Sequence, residues 1–426
     1  MYATRPAEAR LDDTGHVLVA PPRAREEDAA VGDFFGTVVT PEELASGEVD
    51  LTGRTVHLHA DAAATDPALL RAADRVLADP GRAPRRVGGP GGPKGPDGPG
   101  GQGGPDGSGG ALGVYYRRFF DPGEDHFGRI STEHAFQSLT ESTKPGTAHR
   151  SGIYLTPVTA DGAGLHFRLL RCSTNLSGPT EGFRATDTRI VDALNREAAT
   201  VLRGHAPLNH VLAQIYHNTP AAAGRKQSKA RISAHADKTK DMPANDLMAF
   251  CTFYDHRLDA LPPLPADPDD RGLNGVSALT RLHFRRKEQP QQPQQPEQPE
   301  HPVEPAAAAL PARFTVTLHP GSVLFLPLST NRLYTHEIRP PALDAALLPT
   351  RLGYVVRCSE AEAVHRDGRT YLKTADGPVE LGPPTEAGTD ELRRRYAEEN
   401  RSTSFVDYGA EFPFSMNAGD YLAPRP

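Results

Sequence analysis

Arg231 to Asp241 reads R-I-S-A-H-A-D-K-T-K-D, and the fold turns on how this stretch is taken. On a strand, successive side chains face opposite ways, so His235 and Asp237, which flank Ala236, share one side at a separation of roughly 7 Å. That spacing suits a common metal ion. Joined by one distant histidine, such an imidazole and carboxylate form the 2-His-1-carboxylate face that holds non-haem Fe(II) and leaves coordination positions open. The triplet alone is not distinctive, because His59-Ala60-Asp61 and His365-Arg366-Asp367 have the same form. Context separates the three.

Downstream of His235, Phe314 to Leu318 and Ser322 to Pro327 read as short strands around the turn His319-Pro320-Gly321. Leu333 to Ile338 carries His336, and Arg351 to Arg357, R-L-G-Y-V-V-R, reads as another strand. Arg351, Gly353, Val355 and Arg357 then share a face. Two like charges buried together are costly unless anions partner them, and a dicarboxylic acid would do so through the planar guanidinium fork. His235-x-Asp237, His336, Arg351 and Arg357 thus come in an order that is chemically complete for iron with 2-oxoglutarate. No histidine follows His365, and His59 precedes a predicted helix and a glycine-rich tract.

Upstream, residues 1–87 form an amino-terminal segment expected to be partly disordered, loosest over 1–30, with β-rich stretches at Phe34 to Val39 and Thr55 to His59 and a helix over Asp66 to Ala78. Residues 88–112 read as a Gly/Pro-rich linker. Strands are expected at Gly113 to Phe120, Ser151 to Val158, Gly164 to Leu170, Leu208 to His217 and Leu247 to Tyr254, and Thr186 to Leu202 has helical apolar spacing at Ile190, Leu194, Ala198 and Leu202. The tract Gln289 to Glu304 is almost wholly Pro, Gln and Glu, and a disordered insertion is expected over about 260–312. Residues 376–426 form a carboxy-terminal extension, with a short charged helix over Asp390 to Glu399 and aromatics that could pack back onto the body. The fold class expected is mainly β with flanking helices (α+β), built on a double-stranded β-helix, or jelly-roll, core.

Of 426 residues, 40 are Gly and 41 Pro, concentrated in the two low-complexity tracts, so the folded part is shorter than the length suggests. A formal charge of −7 argues against a surface basic all over. Arg225, Lys226, Lys229, Arg231, Lys238 and Lys240 cluster around the motif, either as a solvated loop or as a guide for an anionic substrate. Ser173 to Thr180 reads as a substrate lid or a plain connector. Cys172, Cys251 and Cys358 lie far apart without CxxC spacing, which excludes a disulfide scaffold and suits a reducing cytoplasm. No apolar stretch approaches spanning length, so a soluble protein without membrane association is expected.

At these residues the chain resembles the AlkB-like 2-oxoglutarate and Fe(II) dependent dioxygenases. That family combines H-x-D, a distal His, a closing strand R-x-N-x-T-x-R and an upstream N-x-Y strand. Arg351 and Arg357 match both arginines, Gly353 and Val355 replace the polar residues between them, Tyr216 matches the tyrosine, and Gln214 stands where asparagine is usual. The resemblance covers roughly 186–358, inside a dioxygenase domain taken as 113–375. It implies that His235, Asp237 and His336 bind Fe(II), that Arg351 and Tyr216 hold the distal carboxylate of 2-oxoglutarate, and that Arg357 with Gln214 holds the proximal one. Nucleic-acid repair members place an acid two positions after the metal aspartate to orient a flipped base; here that position is Thr239.

The expected function is therefore a dioxygenase that uses O2 to hydroxylate or demethylate an organic substrate, with an alkylated nucleobase among the candidates. Hydroxylation of a protein side chain or a small metabolite is the alternative within the class. A barrel that binds a ligand or partner without turnover is the alternative outside it.

Overall fold

The structure, a computed structural model, describes residues 11–47, 49–65, 75–77, 80–88, 111–140, 147–162, 164–172, 176–288, 310–409 and 412–426. It is mostly β with few helices. At its centre are eight strands: β1 (His210–Tyr216), β2 (Ile232–His235), β3 (Leu247–Tyr254), β4 (Arg281–Arg286), β5 (Arg313–Thr317), β6 (Ser322–Pro327), β7 (Tyr334–Arg339) and β8 (Arg351–Arg357). They divide between two antiparallel sheets. In the larger the order is β1-β8-β3-β6, and in the smaller β2-β7-β4-β5. Further strands widen the larger sheet, among them Thr147–Thr156 beside β1 and Gly113–Tyr116 beside β6.

The sheets face each other. Met248, Leu324 and Leu326 of the larger pack in one core with Leu282, Phe284, Tyr334 and Ile338 of the smaller. The other face of the larger sheet is covered by the helix Ala185–Val201, whose Ile190, Val191, Leu194, Ala198 and Val201 meet Val211, Leu352, Tyr354 and Val356. A period near 3.6 on the helix and 2 on the strands puts all of these inward, and burying each large aliphatic side chain is worth about 1.5–3 kcal/mol. Strand β8 is thus covered on both faces. Leu352, Tyr354 and Val356 turn to the helix, and Arg351, Gly353, Val355 and Arg357 turn to the smaller sheet.

Three expectations change. Residues 260–288 are ordered: Asp267–Leu273 forms a strand, and β4 is a central strand of the smaller sheet. Its alternation Arg281-Leu-His-Phe-Arg-Arg was overshadowed by the neighbouring Pro/Gln tract, which with 289–309 lies outside the described residues. The amino-terminal 11–30 are ordered too, because the apolar run His16–Val19 is buried as an inner strand of a parallel sheet between Thr37–Val39 and Thr55–His59. Arg75–Leu77, taken as part of a helix, is a strand parallel to Thr55–His59; residues 66–74, and the linker over 89–110, lie outside the described residues. The carboxy-terminal helix runs Glu386–Arg401, and Leu392 and Tyr396 pack with Val406, Tyr408, Phe412 and Phe414. No described helix is long and apolar enough to cross a membrane.

Candidate metal centre

Strands β2 and β7 pair with His235 directly opposite His336, which brings the two imidazoles together with ring centroids 4.5 Å apart. Asp237 lies just past the end of β2. Ligand atoms of His235, Asp237 and His336 all fall within 4.8 Å of one another, so the three could hold one metal ion. Among the described residues one other cluster reaches that proximity: Glu133, His134 and Asp187.

The protonation states suit a cation. Nδ1 of His235 lies 2.9 Å from the Ser233 carbonyl, which accepts a ring N–H there, and Nε2 sits 3.5 Å from Asp237 Oδ1. Burial pushes His336 down to about 3, so it is neutral, and its Nδ1 finds no hydrogen-bond partner among the described residues. Burial alone would raise the Asp237 carboxyl, but the Arg357 guanidinium carries it well below the usual carboxylate range. Arg357 Nη2 donates to Asp237 Oδ2 at 2.8 Å. Phe250 and Phe284 form apolar walls, with ring centroids 5.8 and 5.7 Å from His336.

At the other end of β8, Arg351 is buried, with its guanidinium carbon 3.9 Å above the Tyr216 ring. Its Nε and Nη2 are buried without a partner among the described residues, as is Nε of Arg357. Buried guanidinium donors left open are uncommon and point to an anion that completes them. Gly353 makes room for this arrangement, since a Cβ there would lie 3.0 Å from Arg351 Nη1 and 3.2 Å from Tyr216 Cε2. The residues therefore fit both groups: three converging ligand side chains for a metal, and two inward arginines with open donors for a dicarboxylate. Gln214 departs from its expected position. Its Oε1 accepts from the Tyr216 hydroxyl at 3.1 Å, so it belongs to the Arg351 end rather than beside Arg357. One-residue alternation on β1 put it on the correct face but said nothing of which end its amide would reach.

Among the described residues, neither of the two look-alike triplets gathers a second histidine into a ligand cluster. His59 bonds to Asp28 at 3.2 Å, and His365 to Thr370 across a hairpin whose turn includes Asp367, at φ 51°. Thr239 is buried, and its amide and hydroxyl both donate to Glu399 of the carboxy-terminal helix. In the basic cluster, Lys240 is buried against Asp241, Lys229 donates to the Pro341 carbonyl and Lys238 lies over Tyr396, while Arg225, Lys226 and Arg231 are exposed. Sequence reasoning missed Asn331, whose amide bonds to both backbone groups of Asp237. Such side-chain to backbone bonds follow no periodic pattern.

No protein-family model matches the chain, and no curated protein matches it. Among solved structures, the epimerase SnoN in complex with Fe3+, alpha ketoglutarate and nogalamycin RO is similar at 14% identity with a TM-score of 0.32, covering 60% of this chain and 82% of that one. A second structure of SnoN, the non-heme alpha ketoglutarate dependent epimerase from nogalamycin biosynthesis, aligns at 13% identity and TM-score 0.27, over 56% of this chain and 73% of that one. E. coli ycfD aligns at 13% identity and TM-score 0.22, over 65% of this chain and 60% of that one.

Proposed function

We propose that the chain is a 2-oxoglutarate- and Fe(II)-dependent oxygenase with a jelly-roll core of the AlkB-like kind. The observation that carries this is the convergence of His235, Asp237 and His336 on one point of an inner sheet face where buried Arg351 has two open donor nitrogens. The interleaving of β1 to β8 between two sheets supports the jelly-roll reading. Bound here, iron and 2-oxoglutarate would supply the oxidising power, one oxygen atom of O2 entering a substrate C–H bond while the other enters succinate as CO2 is released.

The chain's own residues bind and orient. Arg351, stacked on Tyr216, takes the distal carboxylate, and Gln214 fixes the tyrosine hydroxyl. Arg357 holds one oxygen of Asp237 and offers its open Nε to the proximal carboxylate. Phe250 and Phe284 keep water from the far side of His336. The three cysteines are free, which supports a reducing, cytoplasmic setting.

For substrate, the burial of Thr239 favours a protein side chain or small metabolite over a flipped base. The position that would orient a base is occupied by contacts to Glu399, and the next acid, Asp241, is bound by Arg171 and Lys240. Binding of methylated single-stranded DNA or RNA that falls steeply with salt would restore the nucleobase reading.

The test is succinate release from 2-oxoglutarate with Fe(II), coupled or not. We expect turnover in the native chain, its loss in His235→Ala, and in Arg351→Ala a rise of at least about 10–100-fold in KM for 2-oxoglutarate, the worth of one charge-assisted hydrogen bond. Metal binding without succinate would favour the non-catalytic barrel. Turnover indifferent to both substitutions would refute the site.

A further inference from the structure

Resting on the metal reading above, we infer that the carboxy-terminal helix Glu386–Arg401 and the short helix Leu328–Leu333 form part of the metal centre, with Asn400, Glu399 and Asn331 as positioning residues for the Asp237 ligand. The reasoning starts from where backbone hydrogen bonds go. The β2–β7 ladder ends at His235, so the chain that carries Asp237 has left the sheet and its buried amides need other partners.

Side chains supply them at nearly every step. The Ala236 amide donates to Asn400 Oδ1 at 2.8 Å. The Asp237 amide donates to Asn331 Oδ1 at 2.9 Å, and Asn331 Nδ2 returns a bond to the Asp237 carbonyl at 2.8 Å. The Thr239 amide and hydroxyl both donate to Glu399 Oε1. Asn331 is 1% and Glu399 4% exposed, so water does not compete for these bonds.

The helix is itself held in place. Lys287, just beyond β4, donates through Nζ to the Glu399 carbonyl at 2.7 Å, and Tyr396 donates to the Arg171 carbonyl at 2.9 Å. Tyr408 closes the far side of the Glu399 carboxylate with a bond of 2.5 Å. Meanwhile Arg357 fixes the Asp237 side chain from the larger sheet. One ligand is thus gripped by its carboxylate from β8, by its peptide groups from Asn331, and through its neighbours from a helix some 160 residues away along the chain. A metal ion tolerates ligand displacements of only a few tenths of an ångström, and partners that orient ligands set its affinity.

The chain contains its own control. Asn195 brackets Leu208 in the same way, accepting from its amide at 2.8 Å and donating to its carbonyl at 3.0 Å, on the helix Ala185–Val201, on the opposite side of the larger sheet from the metal cluster. The test titrates the full chain with Co(II) and follows its visible d–d absorption, with urea unfolding of the metal-free protein alongside. Asn331→Ala and Asn400→Ala should each weaken Co(II) binding by about 10–100-fold, the usual effect of losing a partner that orients a ligand. Asn400→Asp, which keeps the acceptor, should restore most of the loss. Asn195→Ala should lower stability comparably yet bind Co(II) as the native chain does. Native Co(II) affinity and spectrum in folded Asn331→Ala and Asn400→Ala would overturn this inference alone. No Co(II) binding by the native chain would remove the metal reading and this one with it.

Discussion

Two clusters of histidine and carboxylate lie on opposite sides of the larger sheet, linked by strand β8, and they differ in how far their hydrogen bonds close. On the helix side, His134 Nδ1 lies 3.0 Å from Glu181 and Nε2 2.8 Å from Asp187, while Tyr354, which turns outward from β8, donates to the other oxygen of Asp187 at 2.7 Å. Thr186 donates to Glu133, and the Arg184 amide to Asp187. Both ring nitrogens of His134 are engaged, and although burial opposes it, Asp187 and Glu181 raise the ring above its usual pKa. An imidazolium has no lone pair for a metal. On the inner side, His336 Nδ1 and three guanidinium nitrogens of Arg351 and Arg357 are buried without partners. Ligand atoms approach to within 4.8 Å in both clusters; in the outer one Glu133 Oε2 alone among the carboxylate and ring atoms is left open and the bonds staple the fold, while the inner one keeps open donors and an open ring nitrogen among the described residues.

The largest effect that could break this contrast is an exchange of consequences between the two sides. His134→Ala leaves Asp187 and Glu181 buried without their cation, so unfolding in urea should show a loss of about 3–5 kcal/mol, while Co(II) affinity of the folded protein stays native. His235→Ala removes a side chain 35% exposed, so stability should change by less than about 1 kcal/mol, whereas Co(II) affinity should fall beyond the roughly 100-fold of an orienting partner. If His134→Ala abolished metal binding and His235→Ala did not, the assignment of the two clusters would be reversed.

The sequence makes the open cluster far more legible than the closed one. His235, His336, Arg351, Arg357, Tyr216 and Gln214 lie on strands, where alternation alone puts residues on a face, and Asp237 follows two residues past the end of β2, so their meeting on the inner side could be read from spacing and order. The strands themselves were legible for the same reason wherever an apolar run was long, as in Leu247–Tyr254 and Ser322–Pro327. Glu133, His134, Glu181 and Asp187 belong to a helix end, a loop, a two-residue strand and a helix start, and no repeat connects them. Their convergence depends on how the helix Ala185–Val201 docks on the sheet. Asn331 and Glu399 are invisible for a similar reason, because Asn331 binds only backbone groups of Asp237, which leave no residue type to match, and Glu399 meets Thr239 across some 160 residues with no repeat between them. Strand β4 was hidden by composition, its six residues being adjacent to a Pro/Gln tract that dominates any window.

Next in size are opposite pH dependences of the metal-free protein. A histidine whose folded pKa is raised contributes stability that is fully present below its unfolded value near 6.5 and is lost as pH rises through the folded value. His134 should therefore make stability decline on the alkaline side. His336, pushed down to about 3, stays neutral in the folded state, so stability is lost as pH falls below its unfolded value of about 6.5 toward that folded value. Urea midpoints between pH 5 and 9 should show both limbs, with His134→Ala flattening the upper and His336→Ala the lower. Upper limbs of equal slope in the native chain and His134→Ala would mean that the outer cluster is not held by a charged imidazole.

The smallest expected effect probes the open cluster most directly. Gly353 replaces the asparagine of the resembling family, and its backbone φ is not left-handed, so alanine introduces no backbone strain there. Its Cβ would press on Arg351 Nη1 and the Tyr216 ring edge, and the guanidinium, as the end of a flexible side chain, is what would yield. Unfolding stability should then hold or rise by up to about 1 kcal/mol, because alanine lowers the entropy of the unfolded chain. Tilting the guanidinium misaligns its two open donors, and a partial loss of one charge-assisted bond should raise KM for 2-oxoglutarate about 2–10-fold with kcat little changed. A stability loss without a change in KM would show that Arg351 serves the fold as His134 does, and the two sides of the sheet would then differ less than their hydrogen bonds suggest.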